Sequence, residues 1–329
     1  MRKIIKQVAI LIVSLFILSF LTFSLARLAP GDPLVSYYGD RVEKMSEEQK
    51  EQARTRLGLD ESILIQYGHW VDQVIRGDLG LSFKYKKPVS TVIEGRIGNT
   101  LLLGGLGFIV LFVTSLWLGI LCAIHEKSLF DRVATKFGTI LACVPEFWLC
   151  LLLILVFSVN LRWFPSSSAY SLGHQGDIPD RLWHLFLPVS VIVISHVWYY
   201  AHIVRNKMIT ELKKDYVLLA RANGLSIRQI VWRHCLPNML GSYLALMAVA
   251  LPHLVGGTYI VEMVFSYPGL GTLAYESARY HDYNLLMVTV LMSGALIMIV
   301  NLGVNMLARR IDPKIDAQEV LLESEGEWV

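Results

Sequence analysis

Charge is scarce in this chain of 329 residues: Asp, Glu, Lys and Arg make up 17% of it, against about 25% in an ordinary soluble domain. Cysteine is scarcer. Cys122, Cys143 and Cys150 fall in apolar stretches and Cys235 in a polar one, a spacing that resembles neither a disulfide framework nor a zinc site. The nine histidines are scattered without a pair at metal-ligand spacing, so no metal site is implied. No Gly-x-x-x-x-Gly-Lys-Ser/Thr run occurs, which excludes a phosphate-cradling loop of that type. Low-complexity tracts and evident internal repeats are absent, and a net charge of +3 is too small to imply a nucleic-acid partner.

What the chain has instead is apolar length. Hydrophobic residues make up 54% and sit in long runs: Val8–Ala26, Leu101–Ile124, Ile140–Val159, Leu185–Ile203, Tyr243–Ile260 and Leu285–Leu307. About 18 apolar residues suffice for a helix to cross a hydrocarbon core of about 30 Å. Six such runs do not fit a soluble core, whose helices average about 11–12 residues. The expected fold class is an all-α integral membrane protein with six transmembrane helices. The first run follows Arg2, Lys3 and Lys6 as a signal peptide would, but it is longer than a signal core and no clean small-x-small cleavage site follows. It reads as a retained span.

Orientation follows from Lys and Arg in short loops. With the N-terminus inside, segments 1–7, 125–136, 205–238 and 308–329 are inside and hold 16 Lys/Arg, against 3 in the short outside loops 160–184 and 261–284. The long outside segment 27–98 is largely exempt from that rule. Both termini are therefore expected in the cytoplasm, and the chain in the cytoplasmic membrane.

Two connections are too long to be turns. In the outer one, Ser46-Glu47-Glu48-Gln49 has the form of a capping box, opening a helix through Lys50 and Arg54 to Gly58. Ile63–Ile75 reads as a second, amphipathic helix and Gly77-Asp78-Leu79-Gly80 as a turn, together a small folded external segment. Trp163, Trp183 and Tyr283 suit a membrane-interface belt. In the inner connection, Met208–Asn223 reads as a helix with Glu211, Lys213, Lys214, Asp215 and Arg221 on a polar face. Gly224 interrupts it, Ser226 caps a second helix over Ile227–Cys235, and Pro237 is expected to end that helix before the fifth span. The unit fits either a connector lying on anionic lipid or a knob offered to a partner protein.

These residues carry a resemblance. Asp215-Tyr216-Val217-Leu218-Leu219-Ala220-Arg221-Ala222-Asn223-Gly224-Leu225-Ser226, followed by Leu236-Pro237, resembles the cytoplasmic signature loop of ABC importer permeases, with Ala220, Gly224, Leu236 and Pro237 at matching spacing. Leu218 and Leu219 replace its Glu-Ala start, and His234 its Ile. Pro30-Gly31-Asp32-Pro33, Leu57-Gly58-Leu59-Asp60 with Gln66-Tyr67 and Trp70, Gly77-Asp78-Leu79-Gly80-x-Ser82, Pro88-Val89, Pro145-x-Phe147-Trp148, Glu262-x-x-Phe265-Ser266-Tyr267-Pro268-Gly269-Leu270-Gly271 and Asp312-Pro313 are similar to the B-type permeases of oligopeptide, dipeptide and nickel importers. The resemblance covers roughly residues 1–315. Phe164-Pro165-Ser166-Ser167-Ser168 departs from the family's usual Leu-Pro-x-x-Gly, and the acidic tail lies beyond it.

The resemblance implies a type I importer permease fold: a first span within 1–28, an extracytoplasmic segment 29–98, a five-span core 99–308 that includes the coupling segment 205–238, and a cytoplasmic tail 309–329. It implies pairing with a second homologous permease, two cytoplasmic ATPase subunits that bind ATP and Mg, and an extracytoplasmic solute-binding protein. This chain would hold no cofactor and no catalytic residue. The cargo would be peptide, with nickel or a metal chelate as the alternative and a polytopic membrane enzyme or receptor as the remote one. Asp215, Tyr216, Ala220, Arg221, Ala222, Gly224, Leu225, Ser226 and Pro237 would couple to an ATPase. Ionisable groups within spans are functional candidates, so Glu146, His196 and His253 are candidate pathway residues. The alternatives are a buried carboxyl bonded to a neighbouring helix at Glu146 and interhelical hydrogen bonds at the two histidines. Glu262, Phe265, Tyr267, Pro268 and Gly269 would form a docking or gate surface, or else a plain connecting loop.

Overall fold

The computed structural model describes residues 2–28 and 34–311, with side chains described at all of these except 2–6, 35, 36, 40, 251–257, 305, 308, 309 and 311. In chain order the elements are α1 (Arg2–Leu28), α2 (Val35–Tyr38) followed by a 3₁₀ turn (Gly39–Lys44), α3 (Glu47–Arg56), α4 (Ile63–Ile75), β1 (Leu81–Ser82), β2 (Lys87–Pro88), α5 (Val89–Ile124), α6 (Leu129–Ala142) and α7 (Glu146–Leu153), which continues as a π-helical stretch (Ile154–Asn160). Then come α8 (Ile178–Leu212), α9 (Asp215–Ala222), α10 (Ile227–Ile230) with a π-helical stretch (Val231–Cys235), α11 (Leu236–Val264), α12 (Leu270–Arg279) and α13 (Tyr283–Ile311). The motifs Pro30–Pro33 and Asp312-Pro313 and the acidic tail lie outside the described residues.

Gln7–Leu28, α5, α8 and Tyr283–Val304 are each long and apolar enough to cross a membrane, and α6 with α7 and its π stretch passes the same test as a pair bent by 101°. The remaining predicted run lies within the 29 residues of α11. Helices are the expected answer, because hydrocarbon offers no partner to backbone N–H and C=O groups and a helix satisfies them within the segment.

Three expectations need correction. The third apolar run is not one helix, since it breaks between Ala142 and Glu146, with Pro145 extended (φ −60°, ψ 135°) as the residue before α7. Proline has no N–H to continue α6, and its ring disfavours helical backbone at the preceding residue. Pro237 does not end a helix, as it stands in the first turn of α11 directly after the π stretch. A widened turn relieves the clash between the ring and the carbonyl one turn back, so the chain runs from α10 into α11 without a stop. The helix expected over 208–223 is also divided: α8 ends at Leu212 and α9 starts at Asp215.

Two compact units emerge. The first comprises residues 1–101 and 266–298. Ser46 and Gln49 close the capping box reciprocally, at 3.3 and 3.0 Å, and open α3. Gly58 ends α3 at φ +64°, its N–H on the Thr55 carbonyl and that of Leu59 on Arg54, the paired bonds of a Schellman stop. Gly77 ends α4 in the same manner. α4 joins α1 through Tyr67, which is ringed by Phe16, Phe20 and Phe23 and shares a 2.6 Å hydrogen bond with Ser19. The β1–β2 hairpin is fastened to the α12–α13 corner. Asp282 accepts from Ser82 Oγ at 2.5 Å and from the Lys84 N–H at 3.1 Å. Glu276 accepts from Lys84 Nζ at 2.6 Å and from the Tyr85 hydroxyl.

The second unit comprises 102–265 and 299–329. Here α8 packs on α5, α6, α7 and α11. Gly119 of α5 is required for this fit, because a Cβ there would fall 2.6 Å from the Ala201 carbonyl oxygen, and small residues are what let membrane helices approach this closely. Tyr243 of α11 reaches α5 through hydrogen bonds to the Phe112 carbonyl and Ser115 Oγ.

The hairpin fastening carries a pH dependence. Burial alone would raise the Glu276 carboxyl, but the hydrogen bonds from Lys84 and Tyr85 outweigh it and hold the group below the usual carboxylate range. Burial and the same carboxylate push the Tyr85 phenol up to about 12. A depressed folded pKa contributes stability that is present above the unfolded value, about 4.3 for Glu, and is lost as pH falls through the folded value. Glu276→Gln is expected to lower the melting temperature in detergent at pH 7 and to narrow its difference from the unsubstituted chain as pH drops below about 4. Equal melting temperatures at pH 7 would contradict this.

Candidate functional site

The inner-connection motif forms an elbow built from local rules. α8 stops at Lys213, and Glu211 holds the corner: its Oε1 accepts from Lys214 Nζ at 2.6 Å and its Oε2 from the Tyr216 hydroxyl at 2.7 Å. Burial, with the Glu211 hydrogen bond, raises the Tyr216 phenol well above its ordinary range. α9 turns Val217 and Ala220 inward. Gly224, at φ +79°, ends it, with its N–H on the Arg221 carbonyl and that of Leu225 on Ala220, again a Schellman stop. Ser226 and Gln229 form a second reciprocal capping box that opens α10. Ile230, Val231 and Cys235 are fully buried and root that helix.

The elbow's outer surface is apolar at its centre. Leu218 is 70% and Leu219 65% exposed, beside exposed Asp215, Arg221, Ala222, Asn223, Gly224 and Ser226. A Cβ at Gly224 would meet nothing within 4 Å. The predicted coupling residues therefore divide. Asp215, Arg221, Ala222, Gly224 and Ser226 face out, whereas Tyr216 and Ala220 hold the elbow to its own body and Pro237 lies in the first turn of α11. Ala220 is buried against its own protein. Leu218 and Leu219 were read only as departures from a motif, yet they are the most exposed apolar side chains here.

A feature missed in the sequence braces this elbow. Arg205 of α8 grips Asp131 of α6 with both arms, Nε to Oδ1 at 2.5 Å and Nη2 to Oδ2 at 2.6 Å. Asp131 is buried and also accepts from the Lys127 N–H, and Ser128 caps its helix. The two residues are 74 positions apart, beyond any local pattern.

Two of the candidate pathway residues have described side chains, Glu146 at the start of α7 and His196 within α8. Glu146 opens α7 directly after the Pro145 break, where a helix N-terminus favours negative charge. Its Oε1 is shielded from solvent without a hydrogen-bond partner among the described residues, so the expected alternative of a bond to a neighbouring helix is not present at that atom. His196 is half-buried, and its Nδ1 donates to the Ile192 carbonyl one turn back at 3.0 Å. The side chain of His253 lies outside the described residues.

The predicted docking surface is largely interior. Glu262 and Tyr267 are 0% exposed and Phe265 1%. The Pro268 carbonyl accepts from Asn99 Nδ2 at 2.8 Å, and Gly269 precedes α12, its N–H on Thr272 Oγ1 at 3.1 Å. These residues build the connection between α11 and α12, and their buried side chains present little for another protein to touch.

Comparison with known proteins agrees with this architecture. The family model described as binding-protein-dependent transport system inner membrane component matches residues 115–317, and the model of its N-terminal region matches 1–104. The chain belongs to this family. An oligopeptide transport system permease protein of Bacillus subtilis, AppB, is 33% identical over 314 residues, 95% of this chain and 98% of that one. A putative peptide permease of Brucella suis is 34% identical over 302 residues, 92% and 94% of the two chains. Among solved structures, an inward-facing MetNI methionine ABC transporter gives a TM-score of 0.56 at 16% identity, covering 68% of this chain and 97% of that one. A bacterial ABC transporter for alginate gives 0.53 at 16% identity, covering 66% and 79%. The shared fold is that of a type I importer permease, and the family match spans the elbow.

The Asp131–Arg205 pair gives a stability test. Asp131→Ala leaves a partly buried guanidinium uncompensated, which costs on the order of 3 kcal/mol for a buried pair. Replacing both partners, Asp131→Leu with Arg205→Met, is expected to recover most of that loss. Thermal unfolding in detergent of the single and double variants checks both statements, and a double variant no more stable than Asp131→Ala would contradict the pairing.

Proposed function

We propose that this chain is the permease subunit of an importer that carries peptides across the cytoplasmic membrane, driven by ATP hydrolysed in partner subunits. Family membership supports a transport role, and the names of the curated relatives favour peptide over nickel or a metal chelate. The single observation that carries the mechanism is the elbow of α9 and α10, an exposed apolar patch on a buried root. The lysine and arginine bias supports an orientation that puts this elbow and both termini in the cytoplasm.

In this reading a second homologous permease pairs with the chain in the bilayer and two ATPase subunits dock beneath. Leu218 and Leu219 enter a groove on one ATPase, with Asp215 and Arg221 setting register by charge. ATP and Mg reside in those partners, and this chain catalyses nothing. A rigid-body shift of the ATPases reaches α8 through the Glu211 corner and α11 through the π stretch. Glu146, at the break before α7, is kept as the pathway candidate because an ionisable group within an apolar span is costly unless it serves a function. His196 is the second pathway candidate. A solute-binding protein delivers the peptide from outside. The connection holding Glu262, Phe265, Tyr267, Pro268 and Gly269 acts in that encounter as a buried frame for the exposed loops around it.

Gly224→Asp tests the mechanism. Any non-glycine residue is strained at φ +79°, and a carboxylate on this face opposes docking. The expected result is unchanged membrane insertion with uptake of labelled peptide reduced at least about tenfold and ATPase subunits lost on co-purification in mild detergent. Normal uptake by the variant would remove the coupling role.

A further inference from the structure

The first unit carries a half-open cavity of about 1430 Å³, above the roughly 300–1,000 Å³ of an ordinary small-molecule site. Its walls combine two chemistries. Aromatic rings of Phe23, Tyr37, Tyr38, Trp70, Phe83 and Tyr283 form one part. Arg27, Arg41, Arg56, Lys84 and Lys86 form another, against the acids Glu61 and Asp78. Lys84 is committed to Glu276. Arg41, Arg56 and Lys86 have no acidic partner among the described residues. The Arg27 guanidinium lies 5.1 Å over the Phe23 ring and reaches the Tyr37 hydroxyl at 3.4 Å, with no acidic partner among the described residues.

The walls are fixed. Gly39, at φ +60°, lies so close to the Phe83 ring that a Cβ would fall 1.5 Å from it. The hairpin carrying Phe83 and Lys86 is fastened by Ser82, Lys84 and Asp282. Trp70 is anchored beside Tyr67, and Leu57 packs on the small core of Leu34, Val42 and Ala53. Cations lining one preformed cavity repel one another and attract an anion. The aromatic walls supply rigid apolar area, and the two acids suit a cationic group. A ligand with an anionic end, an apolar body and a cationic end matches all three, whereas a phosphate alone leaves the rings and acids unused.

We propose that this cavity binds peptides by their free α-carboxylate, held by Arg41 and Arg56, with side chains against the aromatic wall. The proposal rests on the peptide-import reading and adds to it a cargo site on the permease itself, within the external unit.

The test uses the complete transporter without its binding protein, in nanodiscs of neutral lipid, titrated calorimetrically with the tripeptide Ala-Phe-Ala and with its C-terminal amide. The amide is expected to bind about tenfold more weakly, a difference of about 1.4 kcal/mol. Arg41→Ala with Arg56→Ala is expected to weaken the free acid by a similar factor and erase the preference. Arg41→Gln with Arg56→Gln serves as the second variant, and unchanged melting temperatures establish folding. Equal affinity for acid and amide, no binding, or a preference that survives both variants overturns the proposal. So does loss of peptide binding when phosphatidylglycerol is added to the disc, which marks an acidic-lipid site. Uptake by cells carrying the intact transporter and its binding protein separates the two readings. Peptide accumulation without cavity binding sinks the cavity alone, and no accumulation sinks the import reading.

Discussion

The organising constraint is that a backbone in hydrocarbon must satisfy its own hydrogen bonds. Everything that bends this chain does so without abandoning that rule. Where a helix stops at Gly58, Gly77 or Gly224, the last carbonyls are closed by the N–H groups of the turn itself. Where a helix must shift register, at Ile154–Asn160 and Val231–Cys235, it widens into a π turn and keeps bonding. The one full break in an apolar run falls before Pro145, which has no N–H to leave unsatisfied.

Sparse charge follows from the same constraint, and two ion pairs use what charge there is to join elements. Asp131 with Arg205 in one unit and Glu276 with Lys84 in the other each join elements far apart in sequence. A buried pair contributes little net stability over a well-packed apolar pair, yet breaking one is costly. Its use is specificity: α6 and α8 have one register in which both arms of Arg205 meet Asp131.

Much of this was legible because the signals are local. Apolar runs gave the spans, Ser46 announced a capping box by Gln49 three residues on, Ser226 announced a helix cap, and Gly224 marked the elbow. The elements that escaped depend on contacts across the fold. Nothing near Asp131 indicates Arg205, nothing near Ser82 indicates Asp282, and Leu218 and Leu219 look like core residues until α9 turns them outward. Pro237 misled for a different reason. A proline usually ends a helix, but that rule assumes an α-helical turn before it, and here the turn is π-helical. Likewise the Glu262–Gly269 segment was expected to be a docking or gate surface only through its resemblance to the family, whereas the side chains of Glu262, Phe265 and Tyr267 are buried.

In the proposed transporter, the elbow's mechanical quality depends on how its two roots differ. On the α8 side the corner is polar and tight, with Glu211 holding both Lys214 and Tyr216 and Arg205 clamped two turns earlier. A push on α9 is therefore delivered to α8 and α6 together, as one body. On the other side the root is apolar, Ile230, Val231 and Cys235, and leads through a π turn in which hydrogen-bond register is easier to change than in an α-helix. A lever with one stiff and one compliant arm converts a single displacement into relative motion between α8 and α11. That relative motion, and not translation of the whole bundle, is what opening one face of a pathway while closing the other requires.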